Sequence, residues 1–269
     1  MIRFVIGLLL LPLISCTNID LDAVNTRFKD NISGKLLSPP DIDPPGTDNF
    51  TFAVMGDSHV GSSRGKYLAP ALETFQTASD SFYIILGDLT NNGKDKEYSL
   101  FESTISAVSI PLRAVVGNHD IFFNGWSRFR EKFGRSMYSF NADNVHFTVL
   151  DTANGVLGDD QINWLKADLA ATTRPLKVVL SHFPPWAGSF SSIFKMSSEE
   201  EAAILKDLMY KYSVNYMFAG HYHNFKNVKI GNTIYVVTGG LNNLLDAGRR
   251  HYVRVRVSGN TMSTEKINF

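Results

Sequence analysis

Aspartate, asparagine and histidine side chains recur after short apolar runs in this chain, and these residue types bind divalent metal ions. The positions are Asp57, His59, Asp88, Asn118, His119, His182, His221 and His223. Carboxylate and amide oxygens with imidazole nitrogens suit manganese, iron(II) or zinc better than calcium, which prefers oxygen alone. The set is too large for one tetrahedral ion. Two ions about 3.5–4 Å apart that share a carboxylate would use all of it and would activate a bridging hydroxide for attack on phosphorus.

Runs of β-prone residues precede these side chains. Each run is short, ends in glycine or a polar residue and is typical of a buried strand. The runs are FTFAVMGD, SFYIILGD, PLRAVVGN, LKVVLSH and VNYMFAGH. Binding sites in α/β proteins lie beyond the carboxyl ends of the strands. We therefore expect the polar residues to converge in space although they are far apart in sequence.

Helical patterns separate several of these strands, which predicts an α/β fold. Apolar residues recur with helical spacing over 66–78, 94–108, 159–171 and 198–212. The last segment opens with Ser198 and glutamates, which favours a helix start there. After His223 the chain shows strand patterns alone. His146 and His251 lie inside strand-like runs rather than after them, and we interpret both as structural.

The composition is that of a soluble globular protein and indicates no particular macromolecular partner. Of 269 residues, 44% are hydrophobic and 19% are charged, and the formal net charge is zero. That balance gives no electrostatic sign of a nucleic-acid-binding surface. The length suffices for one large domain or two small ones. Any function must therefore come from local groups of residues.

The first 16 residues differ from the rest and predict an export signal. Arg3 precedes an apolar run that is too short to span a bilayer and is interrupted by Pro12. The run ends in LISC, so that Cys16, the sole cysteine, resembles the lipobox cysteine of bacterial lipoproteins. We expect lipidation of Cys16 and an exported, membrane-anchored protein of the cell envelope, periplasmic or on the outer surface. The alternative is an ordinary signal peptide with a chance cysteine.

The segment 17–49 is polar and contains two Pro-Pro pairs, which favour extended and unpacked chain. We predict a flexible linker here, between the lipid anchor and a folded domain over 50–269. On that interpretation, a protein that begins near Phe50 stays soluble and active. The alternative is an N-terminal arm that packs on the domain surface.

The order of the polar motifs is more specific than any one of them. Along the chain stand Asp-x-His, Gly-Asp, Gly-Asn-His-Asp, a single histidine and Gly-His-x-His. This series resembles the calcineurin-like metallophosphoesterase superfamily, from Phe50 to the C-terminus. The resemblance implies a four-layer α-β-β-α sandwich, with two mixed β-sheets flanked by helices. It also implies a hydrolase that cleaves phosphate esters with two divalent metal ions.

The resemblance further implies which residues hold each metal ion. For the first ion, the expected ligands are Asp57, His59, Asp88 and His223. For the second ion, they are Asp88, Asn118, His182 and His221. Asp88 would thus bridge the two ions, and the neighbouring histidines of Gly-His-x-His would serve different ions. Manganese, iron and zinc are all compatible with these ligands.

One histidine of the series has a different implied role. His119 resembles the family histidine that binds no metal, contacts the substrate and protonates the leaving oxygen. Asp120 is then expected to orient the His119 ring. The alternative for His119 is a purely structural neighbour of the metal ligands.

Departures from the family pattern favour a phosphodiesterase. The segment GDLTNNG lacks the Asp-Arg-Gly ending of the protein serine/threonine phosphatases, and Asn91 stands where purple acid phosphatases carry an iron-binding tyrosine. The pattern is similar to that of the smaller bacterial phosphodiesterases. Two alternatives stay open, namely a phosphomonoesterase of the same fold and a non-catalytic surface lipoprotein that retains the fold.

Overall fold

The computed structural model describes residues 21–44, 48–186, 194–241 and 250–269, which form helices on both sides of two β-sheets. The helices are α1 (Leu21–Ile32), α2 (Leu68–Thr77), α3 (Asp95–Ile105), α4 (Gly125–Phe133), α5 (Asp159–Ala171) and α6 (Glu199–Lys211). The strands are β1 (Asn49–Met55), β2 (Tyr83–Leu86), β3 (Leu112–Val115), β4 (Tyr138–Ala142), β5 (Val145–Val149), β6 (Leu176–Ser181), β7 (Tyr216–Ala219), β8 (Lys226–Ile230), β9 (Thr233–Val237), β10 (His251–Ser258) and β11 (Thr261–Asn268).

The first sheet has the strand order β11-β10-β1-β2-β3. Its strands β1, β2 and β3 are parallel. β10 pairs with β1 in the antiparallel direction, with Phe52 opposite Val255, and forms a hairpin with β11. Because β1, β2 and β3 point the same way, the residues that follow them lie at one edge of this sheet.

The second sheet has the strand order β4-β5-β6-β7-β9-β8. Its central strands β5, β6, β7 and β9 are parallel, and the antiparallel strands β4 and β8 lie at its two edges. The carboxyl ends of β5, β6 and β7 are therefore neighbours. This sheet positions residues from the second half of the chain beside those that follow the first sheet.

The two sheets pack face to face through a core rich in phenylalanine. Phe52 of β1 meets Phe147 of β5 edge-on, with ring centroids 5.4 Å apart, and Phe140 of β4 stacks on Phe147 at 4.7 Å. All three rings are buried, and each such burial contributes about 1.5–3 kcal/mol. Helices α2, α3 and α4 cover the outer face of the first sheet, and α5 and α6 cover that of the second. The predicted four-layer α-β-β-α sandwich is confirmed.

The predicted helices are present with small shifts at their ends. α5 spans the predicted residues 159–171. α6 begins one residue after Ser198, whose hydroxyl caps it by accepting a hydrogen bond from the Glu201 amide. The predicted helices do not include α4, although Trp126, Phe129 and Phe133 recur there at helical spacing and pack on the core.

The N-terminal segment corrects the predicted linker. Within residues 17–49, α1 packs on the domain through a buried ion pair, in which Arg27 Nε and Nη2 donate to Asp151 at 2.8 and 3.0 Å. Farther along, Ile42 is buried and its amide donates to the Asn141 carbonyl. The polar composition misled the prediction because buried polar side chains are stable when their partners satisfy them. For residues 21–44 the structure corresponds to the packed-arm alternative.

The structure bears on the predicted membrane anchor in one respect. Among the described residues, no helix has both the length and the apolar character needed to cross a membrane. Cys16 and the signal predicted over residues 1–16 lie outside the described residues.

Candidate metal centre

The predicted site residues lie together where the carboxyl edges of the two sheets meet. Those that follow strands β1, β2 and β3 of the first sheet are Asp57, His59, Asp88, Asn118 and His119, and those that follow strands β6 and β7 of the second sheet are His182, His221 and His223. The fold thus brings side chains from both halves of the chain to one place. Each stands one to four residues beyond the end of its strand.

Sharp turns after the strands aim these side chains at one another. The residues with a left-handed backbone and their φ values are Asp57 at 61°, His59 at 44°, Asp88 at 53°, His221 at 64° and His223 at 49°. This conformation costs about 1–2 kcal/mol for a residue with a Cβ atom. Such strain persists where surrounding contacts enforce it, and it concentrates at functional sites. Here the contacts include the amide of His221, which donates to Asp57 Oδ1 at 3.1 Å.

A first donor group, which we call group 1, consists of Asp57, His59, Asp88 and His223. Ligand atoms of all four lie within 4.8 Å of one another. His223 Nε2 is 3.1 Å from Asp57 Oδ1, and His59 Nε2 is 3.4 Å from Asp88 Oδ2. The two ring nitrogens, His59 Nε2 and His223 Nε2, face each other at 3.4 Å.

A second donor group, group 2, shares Asp88 and adds His182 and His221, again with ligand atoms within 4.8 Å. His182 Nε2 lies 3.4 Å from Asp88 Oδ1 and 3.2 Å from His221 Nδ1. Asn118 belongs to the same group, because its Oδ1 is 3.0 Å from His182 Nε2. Asp88 therefore faces group 1 with Oδ2 and group 2 with Oδ1. His221 and His223 lie in different groups.

The donor atoms of group 2 are arranged in a way that suits a bound cation. His182 Nδ1 is 2.7 Å from the Leu86 carbonyl oxygen, which can only accept, so Nδ1 carries the ring proton. In the neutral ring, Nε2 then presents a lone pair toward Asp88 Oδ1, which is also an acceptor. A carboxylate oxygen and a ring lone pair that face each other in a buried site are stabilised by a positive ion between them.

The protonation of the remaining donors also fits metal binding. Burial lowers the pKa of His59 to about 4 and that of His221 to about 3, so both rings are neutral and present a lone pair at neutral pH. Neutral imidazoles and an anionic carboxylate are the forms that bind metal. The arrangement is that of a binuclear metal site.

Comparison with known proteins decides the family. The model of the calcineurin-like phosphoesterases matches residues 50–225, which is more than half of the chain and contains every residue of groups 1 and 2. The chain belongs to the calcineurin-like phosphoesterase family. The resemblance found in the sequence is confirmed, and the protein is a hydrolase that acts on phosphate esters.

Individual relatives of this phosphoesterase are moderately similar to it. A protein of Fibrobacter succinogenes with the name "Probable cyclic nucleotide phosphodiesterase" is 25% identical over 195 residues, which cover 68% of this chain and 76% of the relative. Purple acid phosphatase 15 of Arabidopsis thaliana is 31% identical over 134 residues, and the match spans 44% of this chain but 25% of the plant protein. A dimetal phosphatase from Danio rerio has the same fold, with a TM-score of 0.68 and 14% identity over 81% of this chain and 95% of that chain.

His119 of this phosphoesterase lies beside the donor groups without joining them. Its Nε2 is 4.0 Å from Asp88 Oδ2, and its ring stands edge-on to His59 with centroids 4.5 Å apart. The side chain is 32% exposed, whereas those of His59 and His182 are 4% and 0% exposed. His119 therefore faces the part of the site that solvent and a substrate reach.

The predicted role of Asp120 is wrong. Nδ1 of His119 lies 2.7 Å from the Asn91 carbonyl oxygen, so that carbonyl, and not Asp120, fixes the ring. Asp120 points into the protein, where its carboxylate accepts hydrogen bonds from the amides of Leu89, Thr90 and Gly117. Asp120 thereby holds the turn that carries Asp88. Burial, together with the nearby charge of Asp88, raises the pKa of this carboxyl to about 7.

Glycines in the motifs leave room for these side chains. A Cβ atom on Gly117 would lie 2.3 Å from Asp88 Oδ1, and one on Gly87 would lie 2.4 Å from His182 Nδ1. Gly87 also has a φ of +87°. Gly87 and Gly117 are therefore required by close packing inside the site, which explains why the Gly-Asp and Gly-Asn pairs mark it in the sequence.

A chain of contacts connects α1 to the site, and sequence reasoning missed it. The Thr152 hydroxyl accepts hydrogen bonds from the amides of His182 at 3.1 Å and Phe183 at 2.9 Å. Its neighbour Asp151 is the partner of Arg27. α1 thus supports the loop that holds one side of group 2. No local sequence pattern marks this pair, since 124 positions separate the two residues.

Proposed function

We propose that this protein is a phosphodiesterase that uses two divalent metal ions, with manganese as the first candidate. The observation that carries the proposal is the placement of Asp88, whose two carboxylate oxygens each lie 3.4 Å from a histidine of a different donor group. One carboxylate with a histidine on each side is suited to bridging two ions. A non-catalytic role is less consistent with two complete donor groups.

The chain would hold the ions with the residues that the structure brings together. Group 1 would bind one ion through Asp57, His59, Asp88 and His223, and group 2 would bind the other through Asp88, Asn118, His182 and His221. When bound, such a pair supplies an activated hydroxide and neutralises developing charge on the phosphoryl group. Oxygen and nitrogen donors without sulfur favour manganese, iron or zinc.

His119 supports hydrolysis by donating a proton to the leaving oxygen. Its Nδ1–H is bound to the Asn91 carbonyl, so Nε2 is the atom that faces the site. In the reacting form both ring nitrogens carry protons, and the Nε2 proton passes to the oxygen of the departing alcohol. The ring then remains bound to Asn91 through Nδ1. General acid catalysis of this kind contributes roughly 10²–10⁴-fold when the leaving group is poor.

The diester preference rests on the sequence departures and on the relative from Fibrobacter succinogenes, which carries a phosphodiesterase name. The similarity to a purple acid phosphatase supports a second candidate function, a phosphomonoesterase. Kinetics on matched esters separate the two. We expect manganese-loaded protein to hydrolyse methyl 4-nitrophenyl phosphate with a larger kcat/KM than 4-nitrophenyl phosphate. The reverse order would favour the monoesterase, and no turnover of either ester would contradict both candidates.

We also propose that the protein is exported and anchored through a lipid on Cys16. The LISC motif supports this, and two or more acyl chains hold a protein stably at a membrane. Since α1 begins at Leu21, the chain between the anchor and the packed arm is only a few residues long. The domain would then sit close to the membrane surface. We expect wild-type protein in the membrane fraction with acyl mass on Cys16, whereas soluble protein without that mass would contradict the anchor.

A further inference from the structure

The open side of the site determines where the leaving alcohol goes. If His119 protonates the leaving oxygen, the rest of that alcohol must extend past the exposed part of the His119 ring. Phe122 packs against that ring, with its ring centroid 4.9 Å away. Phe122 is 37% exposed, so it presents apolar surface at the place where the alcohol would leave.

A second exposed phenylalanine, Phe123, follows directly in the chain. Phe123 is 68% exposed, which is unusual for so large an apolar side chain. The Lys94 ammonium lies 5.2 Å from its ring centroid, so the ring has a cation on one side. Lys94 follows the loop that contains Asn91, the residue that fixes His119. Phe122, Phe123 and Lys94 lie within a few residues of His119 or Asn91 along the chain, and we call them the phenylalanine rim.

The backbone at Phe123 and at the next residue has an unfavourable, left-handed conformation. Phe123 has φ 50° and ψ 45°, and Asn124 has φ 62°. A left-handed backbone is a clear outlier for a bulky residue. The segment is held there by Arg128, whose Nη1 donates to the carbonyl oxygens of Phe123 at 2.9 Å and Gly93 at 3.1 Å. Neither burial nor local backbone preference accounts for the exposed Phe123 ring, which favours a binding role for it.

We propose that the phenylalanine rim binds an aromatic ring in the leaving alcohol of the substrate. This inference rests on the proposed function, because it uses the position that His119 assigns to the leaving oxygen. Phenyl rings present flat apolar faces that stack on other flat rings. Lys94, beside Phe123, adds a donor for a polar atom on the bound ring. An aryl group and a nucleobase share this chemistry.

The test compares full-length wild-type protein with Phe123→Ala, both loaded with manganese. The substrates are phenyl methyl phosphate and hexafluoroisopropyl methyl phosphate, which carry the same charge and good leaving groups but differ in the aromatic ring. Removing one stacking partner weakens binding roughly tenfold. We expect KM for the phenyl ester to rise by about that factor, with kcat nearly unchanged and the alkyl ester affected less than about twofold. Equal changes for both esters, or no change, would overturn the proposal.

Two further variants examine the aromatic requirement. Phe123→Trp keeps a flat ring and should restore the phenyl preference, whereas Phe123→Leu keeps apolar area without the ring and should not. Full rescue by leucine would overturn the aromatic part. Tyr210→Ala is the matched control, because Tyr210 is 61% exposed but lies at the end of α6, just before β7 and thus at the opposite edge of the sheet from the metal ligands. It should change neither KM.

A binding measurement separates this inference from the proposed function. Calorimetry with phenylphosphonate and methylphosphonate needs no turnover. Wild-type protein should bind the phenyl compound roughly tenfold more tightly, and Phe123→Ala should lose that ratio. Equal binding by the wild type would overturn the inference even if esters are hydrolysed. A retained phenyl preference without any hydrolysis would instead overturn the proposed function and leave the stacking surface supported. 3′,5′-Cyclic AMP, compared with phenyl methyl phosphate, shows whether a nucleobase or a simple aryl group is the better occupant.

Discussion

The metal centre and a second, partly buried group of polar residues contain the same kinds of side chain in different arrangements. The second group, which we call the β5 cluster, is formed by Asn141, His146, Thr148 and Asp168. His146 Nε2 lies 3.0 Å from Asp168 Oδ2, and its Nδ1 lies 3.0 Å from Asn141 Oδ1. The Thr148 hydroxyl also donates to Asp168 Oδ2, at 2.6 Å. Each ring nitrogen of His146 thus has its own side-chain partner.

The metal centre is arranged differently. Ring nitrogens of different histidines face each other at 3.4 Å in group 1 and at 3.2 Å in group 2, and Asp88 lies between the groups. The location of the residues also differs, since His146 lies inside β5 whereas the metal-centre residues follow strand ends. Histidine and aspartate in a protein core stabilise the fold when they pair, and they bind a cation when their acceptor atoms converge.

The largest expected effect comes from making the same aspartate-to-asparagine substitution in the metal centre and in the β5 cluster. Asp88→Asn removes the charge that faces both donor groups, so we expect kcat to fall roughly 10³-fold or more, because charge stabilisation of this kind is worth several kcal/mol. Bound metal, measured by elemental analysis, should fall as well. The matched control Asp168→Asn should keep kcat within about twofold. Asp88→Asn protein with two bound ions and normal turnover would contradict the assignment.

The next effect is selective for the leaving group. His119→Ala should slow hydrolysis of an alkyl phosphodiester by roughly 10²–10⁴-fold, because the departing alkoxide needs a proton. Hydrolysis of methyl 4-nitrophenyl phosphate should change far less, since nitrophenolate leaves without one. Steady-state kinetics on the two esters measure the difference. Equal losses would restrict His119 to substrate binding or to a structural role.

A third prediction concerns the N-terminal helix α1 and its buried ion pair. Arg27→Ala leaves the buried Asp151 carboxylate without its partner, and we expect a loss of about 3–5 kcal/mol in the free energy of unfolding, measured in urea. Lys29→Ala, on the exposed side of the same helix, should change it by less than about 0.5 kcal/mol. A protein that begins at Phe50 lacks the same pair and should be destabilised, contrary to the expectation from a flexible linker. Unchanged stability of Arg27→Ala would mean that α1 docks weakly.

The smallest effect should come from the β5 cluster. His146→Ala should lower the free energy of unfolding by about 1–3 kcal/mol, since it leaves Asp168 with one partner fewer, while kcat stays within about twofold. Burial raises the pKa of Asp168, but its hydrogen bonds to His146 and Thr148 more than offset this and lower it.

The stability effect of His146→Ala should also depend on pH. The pKa of Asp168 is lower in the folded protein than in the unfolded chain, where it is about 3.9. The ionised carboxylate therefore contributes fully to the free energy of unfolding above that pH, and the contribution is lost as the pH falls through the folded pKa. The stability difference between wild type and His146→Ala should therefore shrink below about pH 4. A difference that grows as the pH falls, or a large loss of activity, would contradict a purely structural role.

The sequence predicts the site better than its surroundings, for physical reasons. Asp57 and Asp88 each follow a strongly β-prone run, and the ends of parallel strands in one sheet lie side by side whatever the loops do. His182 follows a similar run in the second sheet. α1 escaped prediction because Arg27 is stabilised by a residue from a distant part of the chain. The orientation of His119 by the Asn91 carbonyl has no sequence signature, because every residue carries a backbone carbonyl. Asp120 stood next to His119 in sequence, but the tight turn directs the two side chains apart.

The central claim is that groups 1 and 2 bind two ions through a shared Asp88. Electron paramagnetic resonance of the full-length protein titrated with Mn²⁺ tests this most directly. We predict two ions per chain and a spin-coupled signal, as expected for ions about 3.5–4 Å apart. Asp88→Asn should abolish the coupling, whereas Asp168→Asn should leave it intact. One ion per chain, or two ions without coupling in the wild type, would contradict the account.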